Sequence, residues 1–197
     1  MTRPFGSERR IRLYSPADEG AFAGRADLPA DLIGTGHMRI ARDGTWYHEG
    51  GPIKRPKLVK LFASVLRRED DGTYWLVTPV ERCRVHVDDA PFTAQELVRE
   101  GAGRSQVLYF RTNLDAWIAA GGDHPIHMAI SPSSGEPAPY IRVKEGLDAL
   151  IVRQVFYELA DLAIRAASDA VGPQNADGEA TPGVWSQETF FPLIPNA

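Results

Sequence analysis

A single cysteine, Cys83, stands in the 197 residues, so no internal disulfide can form and the fold must hold by packing alone. One thiol fits a reducing compartment. Long apolar runs are missing too, with no stretch of about 18 apolar residues to cross a bilayer. The opening MTRPFGSERR lacks the apolar segment of a secretory leader, which makes a cytoplasmic location the expectation. Positive charge is not in excess. Lys and Arg number 22 against 26 Asp and Glu, a formal net charge of −4. That balance argues against a nucleic-acid binder working through overall charge and leaves only a local basic face open. Reaction signatures are absent as well: there is no G-x-S-x-G, no Gly-rich phosphate-binding loop and no G-x-G-x-x-G. His48-Glu49 runs into Gly-Gly-Pro, so Pro52 occupies the place where H-E-x-x-H would need its second histidine.

What is present begins with composition: 43% hydrophobic and 24% charged residues belong to a globular chain with a substantial core. The densest stretch of signals is DGTWYHEGGPIKRPKLVKLFASVLRRE, from Asp43 to Glu69. Asp43-Gly44 between two strand-like runs predicts a hairpin with a type I′ turn. Gly50-Gly51-Pro52 stops the second strand, because proline cannot donate to a ladder. Pro56 then suits a first helical turn, and Leu58, Leu61, Phe62, Val65 and Leu66 recur at helical spacing as one apolar stripe. The spacing predicts a helix running on to Asp71-Gly72, with a basic opposite face of Lys57, Lys60, Arg67 and Arg68.

Further along, the first 34 residues lack periodicity, with an irregular or short helical lead-in at Leu28–Ile33. Residues 73–78 and 83–87 read as strands. In the second of these, Cys83, Val85 and Val87 share one face while Arg84 and His86 share the other. Thr93 and Glu96 have the spacing of a capping box, with Phe92 and Leu97 as its staple, which predicts a short helix there. Residues 106–111 and 115–119 form a strand pair turned near Asn113, and 126–130 form another strand. A Pro- and Ser-rich loop follows over 131–139. Leu147, Leu150, Ile151, Val155, Leu159, Leu162 and Ala163 predict a second long helix ending at Gly172-Pro173, and 184–193 supply one or two closing strands.

Shifting the first helix onto the second aligns Leu58, Leu61, Phe62 and Leu66 with Leu147, Leu150, Ile151 and Val155. With strand pairs ahead of each helix, this predicts an α+β fold of two structurally similar halves. Each half would be a small, mostly antiparallel sheet packed on one long amphipathic helix. The expected organisation is a lead-in over 1–36, a first half over 37–92 and a second over 93–197.

The chemistry available in this pattern is sparse. His48-Glu49 and Asp88-Asp89 pair imidazole with carboxylates, but successive strand residues face opposite ways and cannot meet on one atom. His124 and His127 flank Pro125 without cysteine partners, which argues against zinc. No catalytic residue, metal or cofactor is assigned. The favoured binding residues are Gly51, where backbone can approach closely, and Arg55, a forked donor, together with His48, Glu81 and Asp89. The competing reading of Arg55 makes it an ion-pair partner of Glu81 or Asp89.

DGTWYHEGGPI, LVKLFASVLRRE, DDGTYWLVTPVE, VHVDDAPF and PYIRVKEGLDALIVRQVFYELA together resemble a bacterial family known only as domain-of-unknown-function family 1285, from about residue 37 onward. The resemblance implies an α+β protein of two similar halves with a regulatory or signalling role, and brings no catalytic residues. The functional expectation is a non-enzymatic regulatory, ligand-sensing or protein-interaction module whose partner is a small molecule or a protein. The alternative is a hydrolase using His48, Glu81 or Asp89 in a cleft between the halves.

Overall fold

The computed structural model describes residues 37–79, 81–168, 173 and 180–194. The expected lead-in at Leu28–Ile33 and the helix end at Gly172 lie outside the described residues. The first sheet is built from β1 (Met38–Ile40), β2 (Trp46–His48), β3 (Gly51–Pro52), β4 (Leu66–Arg68), β5 (Tyr74–Val77) and β6 (Arg82–Val87). Helix α1 (Pro56–Val65) lies between β3 and β4. The second sheet holds β7 (Phe92–Glu100), β8 (Val107–Thr112), β9 (Trp117–Ala119), β10 (Ile126–Ile130), β11 (Pro137–Lys144) and β12 (Leu147–Ile151). Helix α2 (Arg153–Ser168) follows, and a hairpin of β13 (Gly183–Ser186) and β14 (Thr189–Pro192) closes the described chain.

The strand order is β3-β2-β1-β6-β5-β4 in the first sheet and β10-β11-β12-β7-β8-β9 in the second. Read from opposite ends, these are one topology. Two three-stranded antiparallel meanders are joined at the centre by their first and last strands, β1 with β6 and β7 with β12, which pair in parallel.

These observations overturn the expected α+β arrangement. The protein is mostly β, and the two sheets do not each rest on a long helix of their own. The helices that appeared to echo one another do not correspond: Leu147–Ile151, matched to the start of the first helix, is strand β12. Its apolar spacing fits a helix, but the segment is buried on both faces between β11 and β7, and a strand so placed reads as a continuous apolar run. The Thr93–Glu96 capping box is likewise a strand. Phe92, Thr93 and Ala94 are buried in β7, and Glu96 faces Arg111 across the ladder to β8. Helix α1 stops at Val65, six residues short of the expected Asp71-Gly72, because Leu66 turns extended and pairs with Leu76.

The turn chemistry also differs from expectation. Asp43-Gly44 does sit in a hairpin, but only Gly44 has positive φ (+82°). Gly44 N–H donates to Ala41 O and Ala41 N–H to Thr45 O, so the loop is a three-residue turn closed by a left-handed glycine rather than a type I′ turn. Thr45 N–H donates to the Asp43 carboxylate, and Glu69–Thr73 repeats the pattern with Asp71 and Gly72. The type I′ signature, positive φ at both central residues, falls instead on Glu49-Gly50 between β2 and β3.

One apolar core joins both sheets. Trp46, Phe62, Leu66 and Leu76 from the first sheet and α1 meet Phe110, Ile118, Ile141 and Ile151 of the second and Leu159 of α2. Trp46 stacks on Phe62 at 6.0 Å. Lys144 of β11 donates to the carbonyls of Ala63 and Ser64, supplying the cation that the last turn of α1 lacks.

Candidate functional site

Strand register places the polar chemistry. In β6 the residues alternate, with Cys83 and Val85 turned into the core and Arg82, Arg84 and His86 exposed. Arg39 of β1 stands opposite His86 and, on its other side, opposite Tyr47 of β2. Because β1 and β6 run parallel, His37 comes level with Arg84. Two arginines and two histidines therefore form the corners of a square, about 5 Å across the strands and 7 Å along them. Trp75 of β5 faces Arg84 on the far side and Arg67 of β4 beyond it.

The square forms the wall of an open groove of about 560 Å³, which Gly72 and Thr73 close at one end. His37, Arg39, Arg84 and His86 line it, and no acidic side chain is among its described lining residues. Carboxylates stand around the groove instead. Asp88 takes a forked pair of hydrogen bonds from Arg39 (2.8 and 2.5 Å), which holds the Asp88 carboxyl below the usual carboxylate range. Asp71 is likewise held low by hydrogen bonds from Thr73. Arg82 pairs with Glu69 at 2.5 Å and lies over the Trp75 ring at 5.0 Å. Arg84 makes no ion pair among the described residues.

A second polar cluster lies where the two sheets meet. Asp89, on the connection from β6 to β7, has a fully buried side chain 3.3 Å from Arg42. It accepts hydrogen bonds from Ser131 (2.5 Å), Ser133 (2.8 Å) and Tyr140 (2.6 Å). Burial and the neighbouring carboxylate push the Tyr140 hydroxyl far up, so it stays a donor. The His127 ring stacks on Tyr140 at 5.7 Å and approaches Asp148, which Arg142 holds at 2.5 Å. With both carboxylate oxygens engaged and the Asp89 side chain buried, this cluster fastens the β10–β11 loop to the first sheet.

Two family models cover the chain in succession, the N-terminal domain of DUF1285 over residues 29–90 and its C-terminal domain over 91–193, both described as of unknown function. The chain belongs to the DUF1285 family. A crystal structure of a DUF1285 family protein from Silicibacter pomeroyi DSS-3 is 43% identical, with a TM-score of 0.68 over 91% of this chain and 93% of that one. A second, from Shewanella baltica OS155, is 27% identical, with a TM-score of 0.49 over 64% of this chain and 91% of that one. No curated protein matches.

Within this DUF1285 chain the nominated residues do not converge. Gly51 is an exposed edge position in β3, and Arg55, also exposed, precedes α1 with no ion pair among the described residues. The expected pairing of Arg55 with Glu81 or Asp89 is not seen; the partner of Asp89 is Arg42. Glu81 precedes β6 and Asp89 follows it, so the two stand at opposite ends of a strand, roughly 25 Å apart. His48 pairs with Met38, level with Val85 and two strands away from β6. A catalytic group built on His48, Glu81 and Asp89 is therefore not assembled. Among the described residues no three His, Cys, Asp or Glu side chains gather in a metal-holding group. The groove residues His37, Arg39 and Thr73 escaped sequence reasoning. Arg84 and His86 were visible as the exposed face of a strand, but the parallel neighbour that completes the square is 47 positions away in sequence, between His86 and Arg39. No helix among the described residues is long and apolar enough to cross a membrane.

Proposed function

We propose that this protein is a regulatory ligand-binding module, and that it recognises an anion on the outer face of its first sheet. The observation that carries the reading is the groove itself: two arginines and two histidines line it without a carboxylate among the described lining residues. Guanidinium groups fixed on strands suit forked recognition of a phosphate or carboxylate, because little side-chain freedom is lost on binding. Arg84 has its full donor set free for this purpose among the described residues, whereas Arg39 is held in place by Asp88.

Titration calorimetry with inorganic pyrophosphate tests the proposal. Binding should weaken as salt rises, since the site is open to solvent. Arg84→Ala should weaken it about tenfold or more, the loss of one charged hydrogen-bonding partner. Arg55→Ala reports whether the site extends along the sheet edge to the Gly51–Arg55 segment. Failure of pyrophosphate to bind, or unchanged affinity in Arg84→Ala, refutes the anion site.

A further inference from the structure

Beside the square of two arginines and two histidines stands an indole held in a fixed position. Trp75 is half-buried, faces Arg84 directly across the β5–β6 ladder, and donates its Nε1–H to Thr73 Oγ1 at 2.8 Å. Thr73 itself lines the groove. Its hydroxyl is committed in turn to Asp71 at 2.6 Å, so the chain Asp71–Thr73–Trp75 fixes the tilt of the ring. Arg82 packs on the ring at 5.0 Å and is held there by Glu69. An indole so restrained offers a flat surface one strand away from an arginine with no ion pair among the described residues. Trp75 and Arg84 stand opposite each other on neighbouring strands whose backbones are about 5 Å apart, so a planar ring and a guanidinium flank the same stretch of the sheet face.

We infer that the ligand of this groove is a free nucleotide, with its phosphates on the Arg39–Arg84–His37–His86 square and its base against Trp75. The inference rests on the anion-binding reading above and adds the ring. Stacking of a base on an aromatic side chain is tolerant of base identity, so the geometry selects the class and not the base. A free nucleotide is favoured over a nucleic-acid strand on two grounds. The groove volume of about 560 Å³ suits a small molecule, and the chain as a whole carries a net charge of −4, which opposes a polyanion.

The test uses the full chain and five kinds of probe: inorganic pyrophosphate, adenosine, the four nucleoside diphosphates ADP, GDP, UDP and CDP, an eight-residue oligothymidylate, and buffer alone. Binding is followed by calorimetry and by tryptophan fluorescence. At least one nucleoside diphosphate should bind about tenfold or more tightly than pyrophosphate and should quench fluorescence. Trp75→Leu should reduce that nucleotide to the affinity of pyrophosphate while leaving pyrophosphate unchanged. Trp75→Phe, which keeps a ring, should give an intermediate value and guards against a leucine variant that folds poorly. Arg84→Ala should weaken nucleotide and pyrophosphate alike. If pyrophosphate binds and no nucleotide exceeds it, the ring assignment is overturned and the anion site stands. If neither binds, both fall. An oligothymidylate that binds more tightly than every nucleotide at physiological salt overturns the free-nucleotide assignment in favour of a strand.

Discussion

Replacing Asp89 by alanine would open the polar contact between the two sheets from its centre. The carboxylate is fully buried and serves three hydroxyl donors, Ser131, Ser133 and Tyr140, as well as Arg42. Removing it strands the Ser131 and Tyr140 hydroxyls, both on buried residues, and leaves Arg42 without its partner. Arg42 is half exposed and water can solvate it, so its share of the loss is small. Each hydrogen bond to a charged acceptor contributes about 1.5–3 kcal/mol, and these three share one group, so they do not add in full. The expected cost of Asp89→Ala is about 3–5 kcal/mol, in the range for breaking a buried charged pair. For a chain of this size that corresponds to roughly 6–20 °C in Tm. Asp89→Asn keeps the shape and one acceptor and should cost less, about 1–3 kcal/mol. Urea denaturation of the two variants, and of Tyr140→Phe alone and with Asp89→Ala, gives both the total and the coupling of Asp89 to Tyr140. A loss under about 0.5 kcal/mol in Asp89→Ala, or additive effects with Tyr140→Phe, would refute the reasoning.

Gly44→Val should destabilise the fold by about 1–3 kcal/mol from positive φ alone. Its Cβ would also meet Asn113 Nδ2 at 2.5 Å, so the urea midpoint should fall further than for the same change at Gly72, whose nearest neighbour is the end of Arg68 at 3.6 Å. Phe110→Ala, at a fully buried position shared by both sheets, should cost about 3–5 kcal/mol by thermal denaturation. Asp88 has its carboxyl held below the ordinary range, so it adds stability above that range and loses it as pH falls through the lower, folded-state value. The stability difference between wild type and Asp88→Asn should accordingly be present at neutral pH and vanish in strong acid; a difference that persists there contradicts the Arg39–Asp88 contact as its source.

Local structure was legible in this sequence wherever one signal sufficed. Strands β5, β6, β8, β9 and β10 follow from β-branched and aromatic alternation, and the Asp43-Gly44 hairpin follows from the strand-like runs that flank it, although its turn type does not. Leu147–Ile151 carries an apolar spacing that a helix and a doubly buried strand share, Thr93–Glu96 carries a T-x-x-E pattern that also occurs in a strand, and Leu66–Arg68 continues the apolar stripe of α1; in each case only the neighbour across the ladder decides. The site was less legible. Asp89 stood out by residue type and proved to be buried structure. The square depends on Arg39 lying beside His86, a pairing set by parallel strands distant in sequence that no local pattern encodes.

The parallel pair at the centre of each sheet has a kinetic consequence. Met38 meets Val85 and Phe92 meets Ala149, so each sheet is completed by joining positions roughly fifty residues apart, at an entropic cost of about 3.5 kcal/mol before any contact offsets it. The flanking hairpins need only short loops and can form within microseconds. Each sheet should therefore assemble as two ribbons whose docking sets the folding rate, and losses placed in the outer hairpins, already formed when the ribbons dock, should slow refolding at least as much as equal losses along β1–β6.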